Sequence, residues 1–429
     1  MMDADVLVFG GGVAGLTAAV LAARSGLEVV CVEPKRFPRR PVGESLDWSA
    51  PRLLADLGLP RDDLVSAGIG TYKREVRAFT AGGERLVGRP PGGLDRWPLR
   101  FGRVTVHLDR ERFDQALYEQ ALDSGVRFVW DRVRTVDVVD DRVRGCVTSG
   151  GDVYRARWCV DASGRARVVG RAAGIGTERW GCDRIAIWTQ QETAMQFEGT
   201  LLHLDDRSDG LVWAWEIPIT RRRCSVGVVM PLTQFSELRN GGQSLDDTLS
   251  QVLARFPTLE PAMPTIPVRA RKYRPHVSER VAGVNWLMAG EAAAFVDPLS
   301  SVGVSTAMRH ATEAAQIITT HHGEPFEAAR RDLAGYDHRV RQIARLYNRA
   351  VEGLLYQPTL RHRLGIRQAS RAYVILGYLT NSIYTRLAPT EPPNPIALAP
   401  IVGFFNTWVR SWRTLARVTP PRHPAAPRP

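Results

Sequence analysis

The sequence predicts an α/β protein: a parallel-sheet domain, an antiparallel sheet inserted into it, and a helical C-terminal region. Three observations predict this. The first 35 residues read as strand, tight glycine turn, helix, strand; residues from about 183 to 230 alternate apolar and polar side chains with period two; helical patterns dominate from about 305 onward.

Taken in order, Val6–Phe9 is a short buried strand, Gly10–Gly15 turns the chain, Leu16 to Ala23 continues as a helix, and Glu28–Glu33 is the second strand. An Arg-rich helical stretch follows at about 106–124, then strands up to Val160. The period-two region contains Arg184–Trp188, Leu211–Ile217 and Cys224–Val229, which read as antiparallel strands with one buried face. These patterns divide the chain into a discontinuous first domain (1–75, 101–175 and 270–325), an inserted β domain (76–100 and 176–269), a helical region (326–418) and a Pro-rich tail (419–429).

Composition bounds the function. With 429 residues and 44% hydrophobic content the chain has material for a large buried core. Of 57 basic residues only Lys35, Lys73 and Lys272 are lysines, and the arginines are spread along the chain, so the net charge of +12 is no nucleic-acid footprint. Cys31, Cys146, Cys159, Cys182 and Cys224 are odd in number, widely spaced and contain no C-x-x-C pair, which disfavours a disulfide framework, a zinc site and a redox dithiol. The histidines show no metal-ligand spacing, so no metal is expected. No run of 18 apolar residues and no basic n-region occur, which gives the expectation of a cytoplasmic protein without a transmembrane segment.

Gly10-x-Gly12-x-x-Gly15 follows a strand and opens a helix, and Glu33 ends the next strand. In that Rossmann-like context the glycines let backbone approach a pyrophosphate, the helix N-terminus favours its charge, and Glu33 can accept from ribose hydroxyls. The motif alone does not separate FAD from NAD. Three further segments, Arg39–Ser45, Val160–Arg165 and Met288–Pro298, give the chain a resemblance to the FAD-binding domain of para-hydroxybenzoate-hydroxylase-type flavoprotein monooxygenases. The resemblance implies that Arg40, Glu44, Arg110 and Asp161 lie at the cofactor, that Gly290-Glu291 meets the ribityl chain, and that Asp297, Pro298 and Gly303 lie beside the flavin ring. Glu291 stands where that family has Asp. No second dinucleotide fingerprint appears, unlike in the disulfide-reductase type.

Two features resemble the flavin-dependent halogenase branch of this superfamily. One is Trp213-Ala-Trp215-Glu-Ile217-Pro, matching its W-x-W-x-I-P; period two places both tryptophans on one strand face, as a wall between flavin and substrate or as core aromatics. The other is Lys73, whose spacing from Glu44 is similar to that of the branch's catalytic lysine. A third feature departs from it. Halogenases follow Asp-Pro with a Ser/Thr-Gly turn associated with halide, whereas here Val302-Gly303 supplies no hydroxyl. The chain is also shorter than typical members.

The resemblance implies that reduced FAD and O2 form a C4a-hydroperoxide, with electrons from NAD(P)H directly or through a flavin reductase. On the apolar Val302, the first expectation is hydroxylation of an electron-rich ring, indole or phenol, including a tryptophan within a peptide or acidic protein as in tryptophylquinone cofactor maturation. The alternatives are a halogenase of tryptophan, pyrrole or phenol, supported by Lys73, Trp213 and Trp215; a prenyl-lipid reductase or cyclase, motivated by the aromatic, basic C-terminus; and a non-enzymatic flavin scaffold.

Overall fold

The structure, a computed structural model, describes residues 4–87, 104–193, 197–207, 210–259 and 263–356. The aromatic stripe Phe404-Phe405-Trp408-Trp412, the tyrosines 373, 378 and 384, and the Pro-rich tail lie outside the described residues. The chain forms two units. One takes its residues from 1–72, 104–179 and 275–345, the other from 73–103, 180–274 and 346–429.

The first unit is built on a five-stranded parallel sheet in the spatial order Trp286–Met288, Ala156–Asp161, Ala4–Phe9, Val29–Val32, Arg127–Val129. Its strands are near-continuous apolar runs because helices cover both faces of such sheets. Val6, Leu7, Val8 and Phe9 are all buried, as are Val29 to Val32. The helix Val13–Arg24 follows the first strand and offers Ala14, Ala18, Ala19 and Ala22, small side chains that allow close packing. The helix Gly303–Thr320 buries Ala311, Ala314 and Ile318 in the same core. On the helix Arg110–Asp123, Phe113, Leu117 and Ala121 fall at i, i+4 and i+8 and form its buried stripe.

Some boundaries differ from expectation. The N-terminal helix begins at Val13, three residues early, so Gly15 lies within its first turn. The stretch expected to be helical from 106 is first a strand, Thr105–Leu108, with every side chain buried, and the helix starts only at Arg110 after Asp109. The separate helical region expected from 326 divides at 345. Tyr336 of the helix Arg330–Val351 donates to the Met288 carbonyl at 2.6 Å and Arg339 pairs with Glu313, which binds that part of the helix into the first unit.

The second unit is a seven-stranded sheet in the order Arg269–Tyr273, Arg184–Glu192, Arg223–Pro231, Gly210–Pro218, Gly199–Arg207, Glu75–Thr80, Arg85–Val87. Its four central strands are the antiparallel ones expected from period two. Alternation splits them into two faces. On one, Ile185, Ile187, Val212, Ala214, Val226 and Val228 join Leu249, Val252 and Leu253 of the helix Leu245–Leu253 and the nearby Phe256. The other face carries Trp188, Trp213, Trp215 and Ile217, because Trp213 lies opposite Val229, Trp215 opposite Gly227, and Trp188 also opposite Gly227. Among the described residues no helix is long and apolar enough to cross a membrane.

Candidate cofactor and substrate sites

The glycine turn is fixed by two approaches that exclude a side chain. A Cβ on Gly15 would lie 1.8 Å from the Gly10 carbonyl oxygen, and one on Gly10, whose φ is +99°, would lie 2.6 Å from that of Ala162. Gly12 is different. It caps the helix N-terminus in an extended conformation, and a Cβ there would meet nothing within 4 Å. Open space in front of unpaired helix amides is what a pyrophosphate needs.

Glu33 is buried beside this turn. It accepts from the Gly11 amide at 2.6 Å and the Lys35 amide at 2.9 Å, and it pairs with Arg39 at 3.1 Å. Arg39 also donates to the Gly11 carbonyl. The arginine at the glycine turn is therefore Arg39; the expected Arg40 is half-exposed and pairs with Glu111 at the start of the helix Arg110–Asp123. Sequence reasoning had the segment but not the side chain, since two adjacent arginines in a loop carry no periodicity to separate them.

Behind Arg39 and Arg40 the chain is braced by Arg110. Its guanidinium forks onto Asp114 at 2.8 and 3.2 Å and donates to the carbonyls of Val42 and Gly43, both at 3.1 Å. Arg110, expected at the cofactor, shapes with these donors the loop that carries Glu44. The buried Glu44 carboxylate in turn accepts from the Gly43 amide at 2.9 Å. A few residues on, Asp47 accepts from the Ser49 amide, and Arg309 reaches both Ser49 and Asp47, tying this segment to the Gly303 helix.

Asp161, expected at the cofactor, is fully buried at the end of its strand. Its carboxylate accepts from the Ser163 hydroxyl at 2.6 Å and from the amides of Ser163, Val169 and Gly170 at 3.1, 2.9 and 3.4 Å. It closes a turn and holds the N-terminus of the short helix Val168–Ala172. Burial pushes its pKa up, and the four internal donors oppose that. Gly290 opens a helical turn with φ +62°, and Glu291 pairs with Arg165 at 3.2 Å. Asp297 is buried and accepts from the Leu299 amide at 3.1 Å, while Pro298 is exposed. Val302 caps the Gly303 helix with its apolar side chain buried, and a Cβ at Gly303 would meet nothing within 4 Å. Open space before two helix N-termini of one unit, with Glu33 and Arg39 beside the first, fits FAD.

In the second unit, Lys73 ends the strand Gly70–Lys73 and is 3% exposed. Of the other two lysines, Lys272 pairs with Asp183 at 2.8 Å and is largely exposed, and Lys35 is exposed as well. Trp213 and Trp215 are buried, with ring centroids 5.6 Å apart and planes at 46°. Trp215 lies over Gly227, where a Cβ would be 2.4 Å from the indole, and its Nε1 donates to Ser225 at 3.2 Å.

The chain is similar to known proteins in sequence and in fold. A family described as tryptophan halogenase matches residues 95–349, more than half of the chain, and an FAD-binding domain family matches residues 5–53. The chain belongs to the tryptophan halogenase family, the flavin-dependent halogenases related to FAD monooxygenases, and it is an FAD-dependent enzyme of halogenase type. It is 28% identical over 331 residues to a 1H-pyrrole-2-carbonyl-peptidyl-carrier-protein brominase of Pseudoalteromonas luteoviolacea (strain 2ta16), covering 73% of this chain and 77% of the relative. It is 31% identical over 334 residues to a tryptophan 2-halogenase of Chondromyces crocatus, covering 72% of this chain and 60% of that longer protein. In fold it is similar to a triple mutant of the flavin-dependent brominase Bmp2, with a TM-score of 0.73 at 22% identity over 96% of this chain and 100% of that one. It is similar also to pqsL, a probable FAD-dependent monooxygenase of Pseudomonas aeruginosa, with a TM-score of 0.71 at 22% identity over 87% and 99%.

Proposed function

We propose that the protein is a flavin-dependent halogenase of an electron-rich heteroaromatic ring, an indole or a pyrrole. Membership of the tryptophan halogenase family over 95–349 carries this reading. It reverses the order of the sequence-based expectations, in which hydroxylation came first: the relatives named above are a pyrrole brominase and a tryptophan halogenase.

Gly10, Gly12 and Gly15 with Glu33 and Arg39 would hold the adenosine diphosphate end of FAD, and the segments around Gly290-Glu291 and Asp297–Gly303 its flavin end. Reduced FAD with O2 supplies the oxidising equivalent that makes halide electrophilic, and a flavin reductase using NAD(P)H supplies the electrons. Lys73 presents a compact ammonium that hydrogen-bonds the electrophilic halogen species and positions it toward the ring; a guanidinium fork would be too wide and too fixed for that task. Its burial keeps water from competing for the species. Trp213 and Trp215 offer indole faces against which an aromatic ring stacks.

Hydroxylation stands as the second reading on one observation, Val302. A buried isopropyl group replaces the hydroxyl that halogenases place at their halide turn. The deciding experiment reconstitutes the enzyme with FAD, a flavin reductase and NADH, in bromide, chloride or halide-free buffer. Tryptophan, indole, pyrrole-2-carbonyl on a carrier protein and a tryptophan peptide are offered as substrates, and products are read by mass spectrometry. A bromine isotope doublet appearing only with bromide is the expected result. An oxygenated product formed at equal rate without halide would replace this reading with the hydroxylase.

A further inference from the structure

We infer that the end of the long C-terminal helix belongs to the substrate site: Tyr356 is a positioning residue for the Trp213 indole, and the Arg184–Glu352 pair holds Tyr356 in place. This rests on the reading that the Trp213 face receives the aromatic substrate.

The two indoles of the W-x-W strand are held by different parts of the chain. Trp215 is fixed within its own sheet by Ser225 and Gly227. Trp213 donates its Nε1–H to the Tyr356 hydroxyl oxygen at 2.8 Å, across 143 residues of sequence. Tyr356 closes the π-helical turn Glu352–Tyr356 that follows the helix Arg330–Val351, and such widened turns are frequent at functional sites.

Tyr356 is itself clamped. The Arg184 guanidinium carbon lies 3.5 Å from the Tyr356 ring centroid. Arg184 is 2% exposed, and its two terminal nitrogens donate to the two Glu352 carboxylate oxygens at 2.6 and 2.8 Å. A bidentate fork fixes the guanidinium plane. That plane sets the tyrosine ring through stacking, and the tyrosine hydroxyl sets the rotation of Trp213 about its side-chain bonds. Arg184 is buried and the links it anchors are part-buried, so each is stronger than on an exposed surface. A chain closure needing only stability could use apolar packing here; a buried arginine fork, a π-turn and a directed hydrogen bond converging on one indole specify its orientation. The angle between Trp213 and Trp215, and with it the outline offered to a ring, is therefore set from residues 352–356.

The test uses the FAD holoenzyme with indole as the probe, in Tyr356→Phe, Arg184→Lys and the double variant. Two readouts are taken: equilibrium binding of indole to the oxidised holoenzyme by quenching of tryptophan emission, and the KM and regioisomer ratio of bromoindole formed. Tyr356→Phe keeps the stacked ring and removes the hydrogen-bond acceptor. It should weaken indole binding and raise KM several-fold, and broaden the regioisomer ratio, with FAD affinity and thermal midpoint near wild type. Arg184→Lys keeps the charge, loses the fork, and should move binding in the same direction. The double variant should be no worse than the more affected single one, since both act through one indole. Unchanged indole binding in Tyr356→Phe would overturn the inference, as would a fall in thermal midpoint with no change in binding. If the wild type binds indole but forms no brominated product, the binding shift still decides the inference, and the halogenase reading fails separately. No binding of indole by the wild type would overturn the inference together with its premise.

Discussion

Gly12→Ala isolates the cofactor from the fold. The backbone at Gly12 has φ −76° and ψ −179°, which alanine adopts without strain, and the added methyl would meet nothing within 4 Å. At a helix N-cap, glycine is preferred over alanine by about 1 kcal/mol. Alanine recovers about 0.4–1 kcal/mol through a less mobile unfolded chain. The flavin-free variant should then unfold within a few degrees of wild type, at about 2–4 °C per kcal/mol for a domain of 150–250 residues. With FAD the methyl stands where the pyrophosphate must approach the helix amides. Overpacking by one carbon typically costs about 1–3 kcal/mol, which corresponds to roughly a five- to 150-fold loss of affinity.

Gly15→Ala is the counterpart. Its methyl would sit 1.8 Å from the Gly10 carbonyl oxygen, so backbone must move whether or not FAD is bound. Titration of deflavinated protein with FAD, followed by flavin fluorescence, and thermal unfolding of the same preparations separate the two variants. Gly12→Ala with wild-type FAD affinity would refute the assignment of that open space to the dinucleotide. A flavin-free Gly12→Ala as unstable as Gly15→Ala would refute the geometry itself.

Lys73→Arg should keep the charge and FAD binding but lose turnover by about 100-fold or more, about 2.7 kcal/mol of transition-state stabilisation, measured as kcat for the halogenated product. Val302→Thr should lower the bromide concentration for half-maximal rate several-fold by restoring a hydroxyl at the halide turn; an unchanged bromide dependence would leave halide binding to other groups. Burial, with Arg309 adding to it, pushes His310 down to about 3 against 6.5 for a free imidazole. The unfolded chain therefore takes up a proton that the native one refuses, so stability is full above pH 6.5 and falls as pH drops toward 3, with a ceiling of about 5 kcal/mol; urea unfolding of His310→Phe should show a flatter acid limb. Burial also acts to lower His321, but Asp332 at 2.9 Å and Glu324 at 2.7 Å outweigh it and hold its pKa above the ordinary value. Its contribution has the opposite sign: full below about pH 6.5 and lost as pH rises through the raised pKa, so His321→Gln should be destabilised at pH 6 and approach wild type at alkaline pH.

How much of this was legible depends on whether a residue's partner lies close in sequence. The strand–turn–helix–strand start is written in local apolar periodicity, and so are the four antiparallel strands. The start of the first helix is blurred because Gly15, a poor helix former, sits in its first turn for reasons of contact with Gly10. Thr105–Leu108 was absorbed into the helix after it because four buried residues, His107 among them, show no alternation. At the site, Gly10, Gly12, Gly15 and Glu33 are legible because one turn assembles them. The motif around Asp161 announces a site, and four donors within nine residues claim its carboxylate. Arg39 rather than Arg40, and the brace of Arg110 on Val42 and Gly43, depend on loop geometry that no spacing encodes.

The W-x-W strand shows why lineage is easier to read than substrate. Both tryptophans follow from period two, and both lie on the face the pattern assigns them. One is then held by neighbours on the same sheet, which are inherited with the fold. The other is held by Tyr356, and through it by a charge pair joining residues 184 and 352. The longer tryptophan 2-halogenase shares 60% of its length with this chain. The segment that follows the long helix can thus re-aim one indole while the motif strand stays unchanged. Ring selectivity in this protein should accordingly respond to exchange of the segment beginning at Glu352 more than to changes in the motif strand. A chimera carrying a relative's sequence from that point, with the sheet untouched, should take on part of the relative's ring preference while binding FAD as before.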